Sequence, residues 1–436
     1  MKRRLAWPTL ALLALVAALI PAPASAASIS PAVALDWNAT AVAAVRAAIT
    51  SNEPPPGASS RALYQTEGLL YMAYVQAAVY DATMKISHRY LLYHHFVARA
   101  GNASLTAAVI AAYYNTLVAY LGDPGNVLAA KYASDLAALP HDANTARGVA
   151  VGMAASEDIV DLRANDGRNA DVPFACPTDT TPGAYQCAPP PSIQTEQTPW
   201  VATMQPFMLL SDSQFRAPAP PALDSAQYVA DFNETKALGL KTSAVRTATQ
   251  TAIGYFWNAN AISQENKTLR DAASQYGLDL VDTVRLLAAG TMVSTDAGIA
   301  CFDSKYHWLR WRPITAIRAD GIAADAGWVP LVNTPNHPEY PSQHGCVTGS
   351  SGDVLATLLG TPNFNLTIWG ANQATPTALA TSESFATEAD LDSELVNARI
   401  YIGFHFRTSV LAGESIGHSV ADWELQRFFL PGDDES

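Results

Sequence analysis

Three short segments in the C-terminal half contain residues that could surround a tetrahedral oxyanion. They span positions 305–313, 341–345 and 399–405. A phosphate-like anion needs fixed cationic donors, backbone N–H groups and a nearby acid or base. The side chains that could supply them are Lys305, Arg312, Ser342, His344, Arg399 and His405.

The first segment places two cations seven residues apart, which predicts that both lie on one face of a helix. They are Lys305 and Arg312, and Pro313 is expected to end the helix. Two cations on one face repel each other unless an anion lies between them. The alternative is a solvated basic face, but the neighbouring residues are not typical of a surface: Tyr306, Trp308, Leu309 and Trp311.

The second segment precedes a run of small residues that predicts a closely packed helix. Ser342 is expected to cap this helix and to offer its hydroxyl, while the main-chain N–H groups of Gln343 and Gly345 face the anion. Taken alone, the segment would be explained more simply as a helix cap beside an incidental His344.

In the third segment, Arg399 and His405 are six residues apart, which on one continuous helix would separate them by about 120°. Gly403 lies between them and is expected to end or bend the helix, so that both side chains converge. A lone His among apolar residues is more often part of a core. The two other segments favour a ligand role for His405.

Together, Lys-x6-Arg-Pro, Pro-Ser-Gln-His and Arg-x5-His resemble the signature of the acid phosphatase/vanadium haloperoxidase superfamily. The resemblance implies that His405 bonds the vanadium of a vanadate cofactor, and that His344 is the general acid and base on the opposite side. Lys305 would polarise bound peroxide for attack by a halide, which gives hypohalous acid. The oxygens of vanadate, or of phosphate in the same site, would be neutralised by Lys305, Arg312, Ser342, Arg399 and the amide of Gln343.

Two further positions bear on the halide. His337 stands where bromoperoxidase-like members of the superfamily carry His and chloroperoxidase-like members carry Phe, which favours bromide. Phe302 takes a place often held by Trp, so the resemblance puts both residues in the substrate pocket. Gln343 replaces the Gly of the superfamily, and its side chain must find room. Asp303 and Glu339 are both candidate partners of the site residues.

The same pocket is compatible with other functions. In an acid phosphatase, His405 would attack phosphorus and His344 would protonate the leaving oxygen. A third possibility is a non-catalytic oxyanion-binding protein of the cell envelope, which the replacement at Gln343 favours. The long N-terminal helical half, the proline-rich segment and His337 favour the haloperoxidase.

The elements that must position these residues are predicted to be all α-helical, forming two packed bundles. The N-terminal half, 27–164, has helical periodicity at 67–82, 105–121, 127–138 and 145–162. A connecting segment at 165–222 holds 11 of the 28 prolines and is expected to be irregular but packed. The C-terminal half, 223–436, carries the site, with helices predicted at 226–236, 244–260, 266–276, 280–305, 346–359, 387–402 and 408–429.

Composition and the N-terminus indicate an exported protein. Residues 1–26 have the basic, apolar and small-residue layout of a secretory signal peptide, and no later stretch is apolar enough to span a membrane. The net charge of −13 and the lack of a basic stripe argue against nucleic acid and anionic membranes as partners. Peroxide, a halide and an unknown organic acceptor are the expected partners, and a homo-oligomer is compatible with the resemblance.

Four cysteines in an exported chain form an even disulfide set. Cys176 and Cys187 bracket one loop and are expected to pair. A bridge between Cys301 and Cys346 would join two anion-binding segments, whereas the alternative is a pair of buried free thiols.

Overall fold

The structure is a computed structural model that describes residues 29–50, 65–168, 170, 172, 176–187, 189, 198–319 and 321–432. The predicted signal peptide at 1–26 lies outside these residues. Within them, no helix combines the length and the hydrophobicity that a bilayer span requires.

Five α-helices are present in the described part of the N-terminal half. The second is buried along almost its whole length, and it packs against the third and the fifth. Polar caps begin two of the helices, because the side chains of Ser104 and Asp142 accept hydrogen bonds from first-turn N–H groups. The helices are α1 (Ala32–Thr50), α2 (Gln65–Ser87), α3 (Leu105–Leu121), α4 (Val127–Ala137) and α5 (Ala143–Leu162).

Among the residues described in the C-terminal half, eight α-helices and one hairpin are present. The hairpin pairs two antiparallel strands, with Leu366 opposite Phe385 and Gly370 opposite Thr381. The helices are α6 (Ala226–Gly239), α7 (Ala248–Phe256), α8 (Ala261–Gln275), α9 (Leu280–Trp308), α10 (Pro313–Arg318), α11 (Gln343–Leu359), α12 (Glu388–Tyr401) and α13 (Arg407–Leu425), and the strands are β1 (Leu366–Gly370) and β2 (Thr381–Phe385).

The connecting segment is packed against the helices by buried polar anchors. The carboxylate of Asp296 on α9 accepts hydrogen bonds from the N–H groups of Phe207 and Met208, both at 2.7 Å. Arg163 donates to the carbonyl of Pro206 at 2.9 Å. The described residues of the connecting segment contain one short 3-10 turn, Pro199–Thr203, because the prolines leave too few N–H donors for longer helices.

The halves meet along α9, which is buried from Leu280 to Lys305 and contacts both α2 and α11. Helices α11 and α13 approach each other so closely that a Cβ at Gly413 would collide with the carbonyl of Ser342. A disulfide between Cys301 and Cys346 joins α9 to α11. These contacts fix the two segments that carry Lys305 and Ser342.

The predicted all-α fold is confirmed, and so are both disulfides, since Cys176 and Cys187 also pair. Several predicted boundaries are wrong. The helix predicted at 244–260 is shorter, because Thr247 and Gln250 form a capping box and Asn260 caps the next helix. The hairpin and α10 were not predicted, because short elements carry little periodic signal.

Candidate oxyanion site

Lys305 lies in the last turn of α9 and is completely buried. Its Nζ donates hydrogen bonds to the carbonyls of Pro338 at 3.0 Å and Glu339 at 3.1 Å, and also to the carbonyl of Pro341. Burial, together with the positive charge of Arg312, lowers the pKa of Lys305 well below its usual value. The three hydrogen bonds fix the Nζ group of Lys305 against the segment that leads into α11.

The prediction that Lys305 and Arg312 share one helix is wrong. Helix α9 ends at Trp308, because Leu309 adopts the left-handed conformation with φ +44°, and Arg312 precedes α10 in extended backbone. Tertiary structure still brings the two cations together, since each acts electrostatically on the same neighbours.

The guanidinium of Arg312 is buried and points at two histidines. Its Nε donates to the carbonyl of His337 at 2.8 Å, and Nη1 lies 3.1 Å from Nε2 of His405. Because a guanidinium has no acceptor, Nε2 of His405 must accept this hydrogen bond. Nδ1 of His405 therefore carries the proton when the imidazole is neutral.

Glu339 holds the other side of the His405 ring. Its Oε1 lies 3.0 Å from Nδ1 of His405 and also accepts from the N–H of Phe406 at 3.0 Å. Asp303, the other candidate carboxylate, is instead paired with Arg216 at 2.6 and 2.7 Å. Burial raises the pKa of Glu339 to about 7. Glu339 is thus the carboxylate that orients His405.

Gly403 ends α12 between Arg399 and His405, as predicted. Its φ is +78°, and a Cβ there would lie 2.9 Å from the carbonyl oxygen of Gly239, so this position requires glycine. Arg399, in the last turn of α12, is buried and donates to the carbonyl of Trp257 at 3.0 Å.

Ser342 occupies the N-cap position of α11, but its predicted capping hydrogen bond is absent. The hydroxyl is fully buried and has no hydrogen-bond partner within the described part of the chain. A buried hydroxyl without a partner is costly, and here it stands at the positive end of a helix. The Gln343 side chain finds room against α2, where its Nε2 lies 3.1 Å from Oγ1 of Thr66.

Both predicted histidines of the site are held neutral. Burial and the nearby cations lower the pKa of His405 and of His344 well below the usual value for histidine. Lys305, Arg312 and Arg399 act on both rings, and Glu339 is the carboxylate that acts on Lys305. The site thus gathers three cations around one carboxylate, and an oxyanion would offset the excess positive charge.

A cavity of about 130 Å³ opens beside these residues. His344, Arg399 and Gln343 line one part of it, and the rest of its wall is mostly apolar. His337 and Phe302 are not among its lining residues. Their rings pack against each other in the core at an angle of 36°, with centroids 5.4 Å apart.

Sequence reasoning missed a carboxylate in this cavity. Glu265 on α8 lines the wall, and its Oε1 accepts a hydrogen bond from Ser351 at 3.1 Å. Its Oε2 is buried without a hydrogen-bond partner in the described residues, and burial raises its pKa to about 7. The available signal was the polar run 263–266, which falls between the helices predicted at 244–260 and 266–276, but no motif distinguished it.

Sequence comparisons relate this chain to known proteins. Residues 285–429 match the family described as the VCPO second helical-bundle domain. Vanadium chloroperoxidase from Curvularia inaequalis is 28% identical over 167 aligned positions, which cover 30% of this chain. The match spans 27% of that relative's length.

Solved structures share the fold over most of the chain. The structure described as the first bacterial vanadium-dependent iodoperoxidase aligns with a TM-score of 0.77 at 20% identity, covering 94% of this chain and 100% of the other. A holo-type bacterial vanadium-dependent chloroperoxidase aligns with a TM-score of 0.68 at 19% identity, covering 82% and 90% of the two chains.

Fold and site together define a double helical-bundle protein with a buried cationic pocket. More particularly, this chain has the fold of the vanadium-dependent haloperoxidases and carries their second helical-bundle domain. The resemblance stated from the three motifs is thereby confirmed.

Proposed function

We propose that this chain is an exported, vanadate-dependent haloperoxidase that oxidises a halide with hydrogen peroxide to hypohalous acid. The observation that carries the proposal is the arrangement around His405. Its Nε2 lone pair faces Arg312 in a pocket of three buried cations, while Glu339 fixes its Nδ1 side.

The residues present fit vanadate. His405 would bind it through Nε2, and the oxyanion would be held by Lys305, Arg312 and Arg399, with Ser342 supplying the buried hydroxyl that lacks a partner. Bound vanadate would supply Lewis acidity toward hydrogen peroxide without changing its own oxidation state. Pre-positioned donors act strongly here because their side chains are buried.

His344 is suited to move a proton. Its ring lines the cavity, and its lowered pKa keeps it neutral at physiological pH, so it can accept a proton from an incoming peroxide. Lys305 cannot reorient freely, because its ammonium group donates to three backbone carbonyls. It therefore presents a fixed positive charge to the oxyanion.

Bromide is the proposed halide, on the basis of His337. The relatives named above are a chloroperoxidase and an iodoperoxidase, so iodide and chloride are the alternatives to compare. The apolar cavity beside His344 would admit the halide and a small organic acceptor.

The test is halogenation of a dye by phosphate-free mature protein with peroxide and each halide, before and after orthovanadate is added. Halogenation should appear when vanadate is added, and it should be faster with bromide than with chloride. It should be lost in His405→Ala. His94→Ala is the matched control, because His94 pairs with Asp158 on the surface of the N-terminal half.

If the protein hydrolyses phosphate esters, is inhibited by vanadate and does not halogenate the dye, it is an acid phosphatase and this proposal is wrong. Vanadate binding without either activity would indicate the non-catalytic protein. Both alternatives use the same cations, because phosphate and vanadate share charge and shape.

Export is supported by the two disulfides, which form in oxidising compartments. N-terminal sequencing of the secreted protein should begin at Ala27. A mature protein that retains residues 1–26 would contradict the predicted cleavage.

A further inference from the structure

A second cluster of ionisable side chains lies between three helices, away from the oxyanion site. Asp353 on α11, Glu388 on α12 and His418 on α13 each offer a ligand atom, and these atoms lie within 4.8 Å of one another. Nδ1 of His418 is 2.8 Å from Oδ2 of Asp353. Each ligand comes from a different helix, so the cluster depends on the packing of all three.

Two more carboxylates lie beside this cluster. Asp392 follows Glu388 by four residues on α12, so these two side chains lie on one helix face. Glu414 precedes His418 by four residues on α13, so the same holds for that pair. Oδ2 of Asp392 is 3.9 Å from Nε2 of His418. Asp392 and His418 are the charged groups that act on the carboxyl of Glu414, which associates this side chain with the cluster.

Several of these oxygens lack partners. Glu414 is only 8% exposed, and its Oε1 is buried without a hydrogen-bond partner among the described residues. The same holds for Oε1 of Glu388 and Oδ1 of Asp392. Buried carboxylate oxygens normally have donors or a bound cation, so three such atoms in and beside this cluster indicate a site for a cation.

Glycines on α11 make room for the cluster. A Cβ at Gly352 would lie 3.2 Å from Cγ of Glu388. At Gly349, a Cβ would lie 3.3 Å from Cα of Glu414 and 3.6 Å from Cε1 of His418. Small residues at these positions let α12 and α13 bring their side chains next to α11.

The charges do not balance within the cluster. Four carboxylates surround one imidazole, and no Lys or Arg is among the charges that act on them in the described structure. A protonated His418 would offset the charge of one of these carboxylates, and a divalent cation would offset the charge of two more.

We propose that Asp353, Glu388 and His418 bind a divalent transition-metal ion, Zn²⁺ or Mn²⁺, with Asp392 and Glu414 completing its surroundings. An imidazole among carboxylates favours these ions over Ca²⁺ and Mg²⁺, which prefer oxygen ligands alone. The ion would tie together the helices that carry His344 and Arg399. It would therefore stabilise the fold around the oxyanion site without taking part in its chemistry.

The test uses mature protein treated with a chelator and then titrated with Zn²⁺, Mn²⁺ or Ca²⁺ in separate calorimetric experiments. One Zn²⁺ or Mn²⁺ should bind per chain and raise the melting temperature. His418→Asn and Glu388→Gln should each weaken binding at least tenfold, roughly the effect of disturbing a metal's ligand environment. His94→Asn is the matched control, because His94 pairs with only one carboxylate at 2.6 Å.

His405→Ala should retain the metal, which separates this site from the oxyanion site and from the proposed function. Electron paramagnetic resonance of Mn²⁺ bound to the unmodified chain should show coupling to an imidazole nitrogen, so the proposal can be tested even if a variant fails to fold. Absence of binding, preference for Ca²⁺, binding unchanged in both variants, or no nitrogen coupling would overturn it.

Discussion

Glu339 allows the orientation of His405 to be separated from the charge of the pocket. Its Oε1 accepts from Nδ1 of His405 and from the N–H of Phe406, both at 3.0 Å. Glu339→Gln keeps an acceptor oxygen of the same reach and removes the negative charge. Glu339→Ala removes both the acceptor and the charge.

The difference in vanadate-binding free energy between the two variants should equal the contribution of the orienting hydrogen bond alone. Loss of such a partner behind a ligating histidine typically costs 10–100-fold in affinity, which is about 1.4–2.7 kcal/mol. Removing a carboxylate beside three buried cations has the opposite effect, because it strengthens the positive field on an anion. We therefore expect Glu339→Gln to bind vanadate at least as tightly as the parent, and Glu339→Ala to bind about 10–100-fold more weakly than Glu339→Gln.

The assay is calorimetric titration with orthovanadate at one fixed pH, with circular dichroism to verify folding. Asp303→Asn is the matched control, because this second carboxylate pairs with Arg216 and should leave the affinity unchanged. Equal affinities for the Gln and Ala variants would refute an orienting role for Glu339. If both variants also bound vanadate more weakly than the parent, the charge of Glu339, and not its hydrogen bond, would be what binding requires.

Three other predictions test the surroundings of the site. Replacing Cys301 and Cys346 together by Ala should lower the free energy of unfolding by about 4 kcal/mol, from the sequence separation of 45, and weaken vanadate binding; urea denaturation and calorimetry would measure both. Glu265→Gln should raise the free energy of unfolding by about 3 kcal/mol at pH 8 and leave it unchanged near pH 4, because a carboxyl pKa raised from 4.5 to about 7 costs stability as the pH rises through that range; a pH-independent difference would contradict this. Gln343→Gly should leave vanadate affinity unchanged, because the side-chain amide is engaged by a hydrogen bond to Thr66 on α2; a large loss of affinity would assign the side chain a direct role.

Much of the site could be predicted from residue types and order. Lys305, Arg312, Arg399 and His405 are all buried together in the structure, as the three motifs predicted. Gly403 was also predictable, because its φ of +78° is one that only glycine adopts without strain. Local sequence contains this information, since backbone conformation and charge are properties of individual residues.

Other features depended on contacts between distant segments. The sequence predicted one helix across Lys305 and Arg312, but Leu309 ends α9 and the two cations meet through packing instead. Ser342 was predicted to cap α11, yet its hydroxyl makes no capping hydrogen bond and is buried without a partner among the described residues.

The sequence by itself determined which charged and polar groups this protein could direct at an oxyanion, because those groups lie in short motifs in a fixed order. Tertiary structure alone decided that Glu339 and not Asp303 holds His405, and that Glu265 faces the cavity. The physical reason is that a hydrogen bond requires two side chains within about 3 Å. Those distances are set by the packing of the loop before α11 against the turn between α12 and α13, and of α8 against α11.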